Sequence, residues 1–382
     1  MKKVAIVTCR VLPETDPDQE LLLGALRDAG FEPSMLPWDD PSADPAAYDL
    51  CVLRSCWDYY KHPGSFLKWI ERADKTSRLV NPAPVVRWNY NKRYLGALAS
   101  AGVALVPTVF FERGEEAVLA TIMATRRWDD VVIKPSVSAS SFRTRRFGKA
   151  EVKEGHDFLR ELLRDRDTMV QKYMPAVEGE GEKAVVWIDG EFTHAVRKSP
   201  RFAGAGESVS AAVEVSPEER ALAEQALSKA VERVGSKEPL LYARVDMVRG
   251  AGGKLVVSEL EMIEPSLFLL QHPPALERLV SAIGKFAEGK ASEPEPAEQI
   301  ITTQKPAEQM TPAPKPSPAK SVERKFIVQK PGGPKPGGRK PLGWKPTGRK
   351  SGGRKHTGWK PGDQKPIGRK PALRRPGGRT ST

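Results

Sequence analysis

Val257-Ser258-Glu259-Leu260-Glu261 is the stretch on which the reading of this chain turns. On a strand, residues two apart point to the same face, so Glu259 and Glu261 project together from an otherwise apolar element. Asp246 lies on the preceding strand pattern, across a turn holding Gly250, Gly252 and Gly253, where it can face the same side. Three carboxylates converging on one spot repel unless a cation neutralises them, and hard oxygen ligands of this kind suit Mg²⁺ carrying nucleotide phosphates. An exposed strand face with acids paired to surface lysines would carry the same letters, so the surroundings have to decide.

Outward from this stretch, strand patterns come in antiparallel pairs. Val185 to Ile188 and Phe192 to Val196 flank Asp189-Gly190, a hairpin signal. Pro217 to Val234 reads as a long helix with Ser216 as N-cap and Glu219 three residues on. Gln171-Lys172-Tyr173-Met174-Pro175 ends a strand and runs into Glu178, Glu180 and Glu182. Such a junction can receive an adenine, with an acid accepting the ribose hydroxyls; a solvated acidic loop is the alternative. Lys134 ends the strand Val131 to Lys134 and precedes the small-residue loop Ser136 to Ser141. A cation beside accessible backbone amides can hold polyphosphate. Lys92, at a helix start, is ordinary by itself.

The first 85 or so residues differ. Val4 to Thr8, Leu50 to Arg54 and Leu79 to Asn81 read as strands, with helices at Glu20 to Ala29 and Phe66 to Ala73 between them. This is a βαβ pattern with a parallel sheet. Open parallel sheets bind ligands beyond the C-terminal ends of their strands, which selects the segment Arg54 to Asp58. There an arginine suits a substrate carboxylate and Asp58 suits an amine, while Trp57 and Tyr59 can equally serve as a cap on the sheet.

Composition changes along the 382 residues. Residues 290 to 382 hold 22 Lys+Arg and 6 Asp+Glu, a net of +16, so 1 to 289 nets −3 although the whole chain reads +13. This tail, rich in Pro, Gly and Lys, is expected to be disordered, since it cannot bury enough apolar surface to offset its chain entropy. From Gln329 to Gly378 it falls into ten pentapeptides with Lys or Arg in second place, and it carries Trp344 and Trp359. Regular positive charge with occasional stacking fits binding to nucleic acid or another polyanion; a solubilising appendage is the alternative. Cys9, Cys51 and Cys56 make no disulfide framework or zinc pattern, which points to a reducing, cytoplasmic setting. No apolar run approaches the roughly 20 residues that span a bilayer, so no membrane role is expected.

Taken in order, Lys92, Ile133-Lys134-Pro135, Gln171 to Ala176, Ile188 to Phe192, Arg197, Asp246 and Glu259-Leu260-Glu261 resemble the ATP-grasp superfamily over 1 to 289. The hinge and hairpin look like prokaryotic glutathione synthetase. Arg54 to Tyr59, His194 to Lys198 and Glu259 to Phe268 look more like the branch containing the D-cycloserine-forming cyclo-ligase. The resemblance implies an α/β and α+β ATP-grasp fold: an N-terminal parallel-sheet α/β domain over 1–88 and an ATP-grasp domain over 89–289, with its lid at about 108–175 and a C-terminal α+β part. The disordered basic tail is then 290–382.

The resemblance further implies that Lys92 and Lys134 contact ATP phosphates and that Gln171, Lys172, Tyr173 and Met174 line the adenine pocket. Glu182, or else Glu178 or Glu180, meets the ribose. Asp246, Glu259 and Glu261 bind Mg²⁺ or Mn²⁺, and Arg197 faces the γ-phosphate or acyl phosphate, so Arg197 and Lys134 are the catalytic candidates. Arg10, Arg54, Ser55, Trp57, Asp58, Arg244 and Ser266 face the substrate. The implied activity is that of an ATP-dependent carboxylate–amine ligase on small-molecule carboxylate and amine substrates. Two alternatives are an intramolecular cyclo-ligase of the cycloserine type and a catalytically silent ATP-binding protein that holds nucleic acid through its tail. Loops 136–148 and 199–210 are the candidates for closure over ATP.

Overall fold

The computed structural model describes residues 1–199 and 208–289. The tail with its repeats and polyanion reading, and most of loop 199–210, lie outside these residues.

The chain begins β1 (Lys3–Thr8), α1 (Gln19–Asp28), β2 (Glu32–Pro37), β3 (Leu50–Ser55), α2 (Pro63–Thr76) and β4 (Arg78–Val80). These four strands are parallel in the order β2-β1-β3-β4, as the βαβ pattern requires. β2 has no apolar signature because Pro33 and Pro37 break it, and it takes the sheet edge, where a missing N–H is tolerated. Two helices follow, α3 (Ala83–Asn89) and α4 (Tyr94–Ser100).

Next come β5 (Thr108–Phe111), α5 (Leu119–Arg126), β6 (Asp130–Pro135), β7 (Arg145–Gly148), α6 (Val152–Leu163), β8 (Thr168–Lys172) and the single turn α7 (Ala176–Gly179). Their sheet is antiparallel, in the order β5-β8-β6-β7. Helices α5 and α6 close a small separate core with Phe147 and Phe158 at its centre.

The third sheet is built by β9 (Glu182–Ile188), β10 (Glu191–Lys198), β11 (Tyr242–Arg249) and β12 (Leu255–Glu261), in the order β10-β9-β11-β12, with α8 (Pro217–Val234) and α9 (Pro273–Ala287). Asp189 and Gly190 form the hairpin with φ of 43° and 89°. The capping box is present: Glu219 N–H donates to Ser216 Oγ at 3.3 Å while Glu219 Oε2 accepts from Ser216 N–H at 2.8 Å. One face of this sheet, with Val185, Ala195, Val245 and Leu260, packs on α8. The opposite face, with Ala184, Val186 and Val196, packs toward α9 and the parallel sheet. Among the described residues, no helix is long and apolar enough to cross a membrane.

Two asparagines clip the end of β4 and helix α3 to the third sheet. Asn81, at the end of β4 and 0 % exposed, donates to Tyr242 O at 2.8 Å and Met262 O at 2.9 Å and accepts from Leu241 N–H at 2.7 Å. Asn89 likewise donates to Leu260 O and accepts from Met262 N–H, both at 2.9 Å.

His194 lies buried on β10, its ring 4.8 Å from that of His272. Burial, then His272, pushes its pKa down to about 4. The unfolded chain therefore takes up this proton first, and the stability His194 contributes as a neutral ring is lost as pH falls from 6.5 toward 4. Wild type is expected to lose about 2 kcal/mol more than His194→Gln between pH 7 and 5, read by denaturant unfolding at both values. Parallel loss in the two proteins would refute this.

Candidate active site

The three sheets leave one polar cleft where β11 and β12 face the Ser136–Ser141 loop and the C-terminal end of β3. Register explains which side chains enter it. Asp246 pairs with Glu259 on one side and with Ala184 on the other, and Ala184 pairs with Val196. That row lies on one face, so residues two further along share it: Arg244, Glu261, Glu182 and Lys198. A register shift between Asp246 and Met247 leaves Ser258 as an extra residue. The bulge puts Val257 and Leu260 on the same buried face despite their odd spacing and turns Ser258 into the cleft, where its hydroxyl donates to Glu182.

Acids and cations alternate across the cleft. Lys92 Nζ lies 2.9 Å and Lys134 Nζ 3.6 Å from Glu259; Lys92 also donates to Ser138 O at 2.7 Å. Lys198 Nζ is 2.6 Å from Asp246 and 3.1 Å from Glu182. Arg244 donates to Asp246 at 2.8 Å and to Glu261 at 2.5 Å. Burial by itself would raise the Asp246 and Glu259 carboxyls, but Arg244 and Lys198 hold the first well below the usual range and Lys92 and Lys134 lower the second. Burial wins at Glu261, pushed up to about 7 with Asp246 and Glu259 repelling it, although Arg244 opposes. Burial, then Glu261, carries Glu264 to about 8. Buried Lys92 and Lys198 would lose their protons more readily, yet Glu259 and Asp246 respectively keep both above the ordinary lysine value.

Lys92, Lys134, Gln171, Glu182, Asp246, Glu259 and Glu261 therefore line one cleft, together with Trp57, Arg244 and Ser266. Other expected residues do not. Arg197 follows the opposite parity on β10: it is exposed and donates to Glu180 O at 3.4 Å, while its neighbour Lys198 enters the cleft. Of the three candidate ribose acids only Glu182 reaches the cleft. Glu178 accepts from Tyr173 Oη at 2.7 Å and from Arg146 at 2.5 Å, and Glu180 sits 3.6 Å from Arg249. The Tyr173 ring lies under the Arg146 guanidinium at 3.7 Å, Met174 packs on Val106 and Val248, and the Lys172 backbone bonds to Pro107. These three stand beyond the cleft wall.

On the substrate side, Arg10 is exposed and paired with Asp39. Ser55 Oγ donates to Thr8 Oγ1 at 2.9 Å, and Asp58 accepts from Trp38 Nε1 at 2.9 Å. Arg54 is 1 % exposed and braces the fold by donating to Pro265 O at 2.8 Å. The three expected metal ligands are each in an ion pair, and among the described residues no group of three His, Cys, Asp or Glu is arranged to hold a metal ion. Sequence reasoning missed Lys198, Glu264, Tyr94 and Asn89, which also line the cleft.

Several contacts hold the serine loop against the parallel-sheet region: Ser140 Oγ donates to Glu14 at 3.0 Å, Phe142 stacks on Tyr60 at 4.3 Å, and Val137 and Ala139 pack on its core. Ser140, Ser141 and Arg143 all have left-handed φ, from 47° to 55°, so the loop is locally strained.

Residues 4–81 match the family model for the N-terminal domain of D-cycloserine synthetase DcsG. Over 292 residues, 74% of this chain and 98% of the relative, the sequence is 30% identical to the cycloserine biosynthesis protein DcsG of Streptomyces lavendulae. The crystal structure of D-cycloserine synthetase DcsG matches with TM-score 0.69 at 30% identity, over 75% of this chain and 99% of that one. D-alanine--D-alanine ligase from Bacillus anthracis complexed with ATP shares the fold, with TM-score 0.52 at 13% identity over 76% of this chain and 96% of that one.

Proposed function

We propose, since this chain belongs to the ATP-grasp family that includes D-cycloserine synthetase, that it is an ADP-forming ligase joining a small carboxylate to an amine. The observation that carries the reading is the cleft itself: four carboxylates and four cations, from two sheets and the turn between α3 and α4, held in direct contact.

That arrangement is an exchangeable charge set. Asp246, Glu259 and Glu261 offer hard oxygen donors on one wall and would be the residues to hold Mg²⁺ once their present cations let go and the three draw together. Bound there, Mg²⁺ would supply charge neutralisation of the nucleotide phosphates. Lys92 and Lys134, released from Glu259, hold the phosphates, and Glu182 accepts from the ribose hydroxyls. Lys198 faces the γ-phosphate. The substrate carboxylate oxygen attacks the γ-phosphorus and ADP leaves, giving an acyl phosphate. Arg244 and Lys198 stabilise the oxyanion when the amine nitrogen attacks the acyl carbon; phosphate leaves and the nitrogen gives up its proton. The chain contributes mostly positioning and charge. Its three buried free thiols suit a reducing compartment such as the cytoplasm.

The likeness to D-cycloserine synthetase favours a second form of the same chemistry, in which amine and carboxylate belong to one molecule and the product is a ring.

Thermal unfolding of the full chain tests the nucleotide site. Mg·ATP at about 100 times its Kd is expected to add roughly 2.7 kcal/mol of stability. Glu259→Gln should lose the Mg²⁺-dependent part of that gain. A wild type indifferent to Mg·ATP would overturn the reading.

A further inference from the structure

One acid in the cleft is unlike the others. Glu259, Asp246, Glu261 and Glu182 each sit in an ion pair, and Glu14 accepts from Ser140. Glu264 lines the same cleft at 9 % exposure, yet among the described residues its carboxyl has neither an ion pair nor a hydrogen bond. It is not loosely held. Its own carbonyl accepts from Trp57 Nε1 at 3.0 Å, and the next one, of Pro265, accepts from Arg54 Nη1 at 2.8 Å. Both donors come from the segment that leaves β3, so the end of the parallel sheet fixes this backbone and aims the carboxyl. Around it stand Trp57, Tyr59, Ile263 and Ser266.

We propose that Glu264 is the specificity-determining residue that receives the substrate's primary ammonium; this rests on the ligase reading above. A carboxyl buried without a partner is unfavourable, and a cation that arrives with the ligand removes that penalty. A charge-assisted bond in such a dry setting is shorter and about twice as strong as a neutral one. At the other end, Arg244 and Lys198 provide the positive groups that a substrate carboxylate needs. An ammonium at Glu264 and a carboxylate toward Arg244 would place such a molecule inside the cleft. Burial and repulsion by Glu261 push the empty carboxyl up to about 8, so near neutral pH it mostly holds its proton until an ammonium arrives to favour the carboxylate.

Calorimetry on the full chain with Mg·ADP present tests this with matched probes. D-cycloserine is compared with isoxazolidin-3-one, which lacks only the amine, and D-serine with 3-hydroxypropionate. Wild type is expected to prefer each amine by roughly 10–100-fold in Kd. Glu264→Gln, nearly isosteric, should abolish that preference while keeping its affinity for Mg·ATP. Equal binding of amine and des-amino probes by the wild type, binding of neither, or a preference that survives in Glu264→Gln overturns the proposal. The wild-type comparison stands alone should the variant fail to fold. A wild type that takes up no Mg·ATP marks failure of the underlying ligase reading, whatever the probes do.

Discussion

Lys198→Met is expected to lower ADP release about 10²–10³-fold, whereas Arg197→Met is expected to leave it nearly unchanged. The two residues are adjacent and carry the same charge, so the comparison isolates strand parity. Lys198 shares a face with Asp246 and Glu182 and touches both; Arg197 points to solvent and reaches only a backbone carbonyl. Methionine keeps most of the lysine's length and apolar stem, so packing changes little while the positive group disappears. Stability should respond as well. Asp246 keeps Arg244 as a partner, so the loss should stay below the about 3–5 kcal/mol of a fully broken buried pair, and Asp246 is expected to titrate upward in the variant. Steady-state rates on folded protein, checked by circular dichroism, separate the two effects. If Arg197→Met is the crippled variant, the register described above is wrong for the working enzyme.

Asn81→Ala is expected to destabilise the protein by about 3–5 kcal/mol, read as a lower denaturant midpoint with the slope unchanged. The reason is arithmetic of unsatisfied groups. The side chain serves Tyr242 O, Met262 O and Leu241 N–H, all buried, and alanine leaves all three without their partner. Each such group costs about 1–3 kcal/mol, and a small cavity reduces the total only where water can enter. Asn81→Asp is a sharper companion: it keeps the acceptor for Leu241 but turns a donor toward two carbonyls into an acceptor. A loss below 1 kcal/mol in the alanine variant would show that the clip between the parallel sheet and the third sheet is unimportant.

Much of the architecture was readable because local signals agreed. The Asp189-Gly190 hairpin, the Ser216–Glu219 capping box and the continuous apolar runs of β1 and β3 each name one structure. The acidic wall was readable for the same reason, since Glu259 and Glu261 alternate with a buried Leu260. What failed to show was anything that depends on pairing. Ala195 and Val196 are both buried, so β10 gives no amphipathic hint of whether Arg197 or Lys198 faces the cleft; only the row from Asp246 through Ala184 to Val196 decides it. Asp58 looked available for an amine because its indole partner, Trp38, is 20 residues away in sequence. Arg54 looked like a ligand group because its acceptor, Pro265, is 211 residues away. Glu264 sits in a loop with no periodicity, where its isolation from cations emerges only in three dimensions.

The balance of four cations against four carboxylates has a bearing on how a nucleotide arrives. Opposite charges in contact cancel beyond a few ångströms, so the ion-paired wall projects little field into solvent and offers a distant polyanion almost no guidance. The cleft itself should then contribute little to the salt dependence of encounter. Discrimination happens after contact, as each cation leaves a carboxylate for a phosphate, so a ligand that cannot complete the swap is released as easily as it entered.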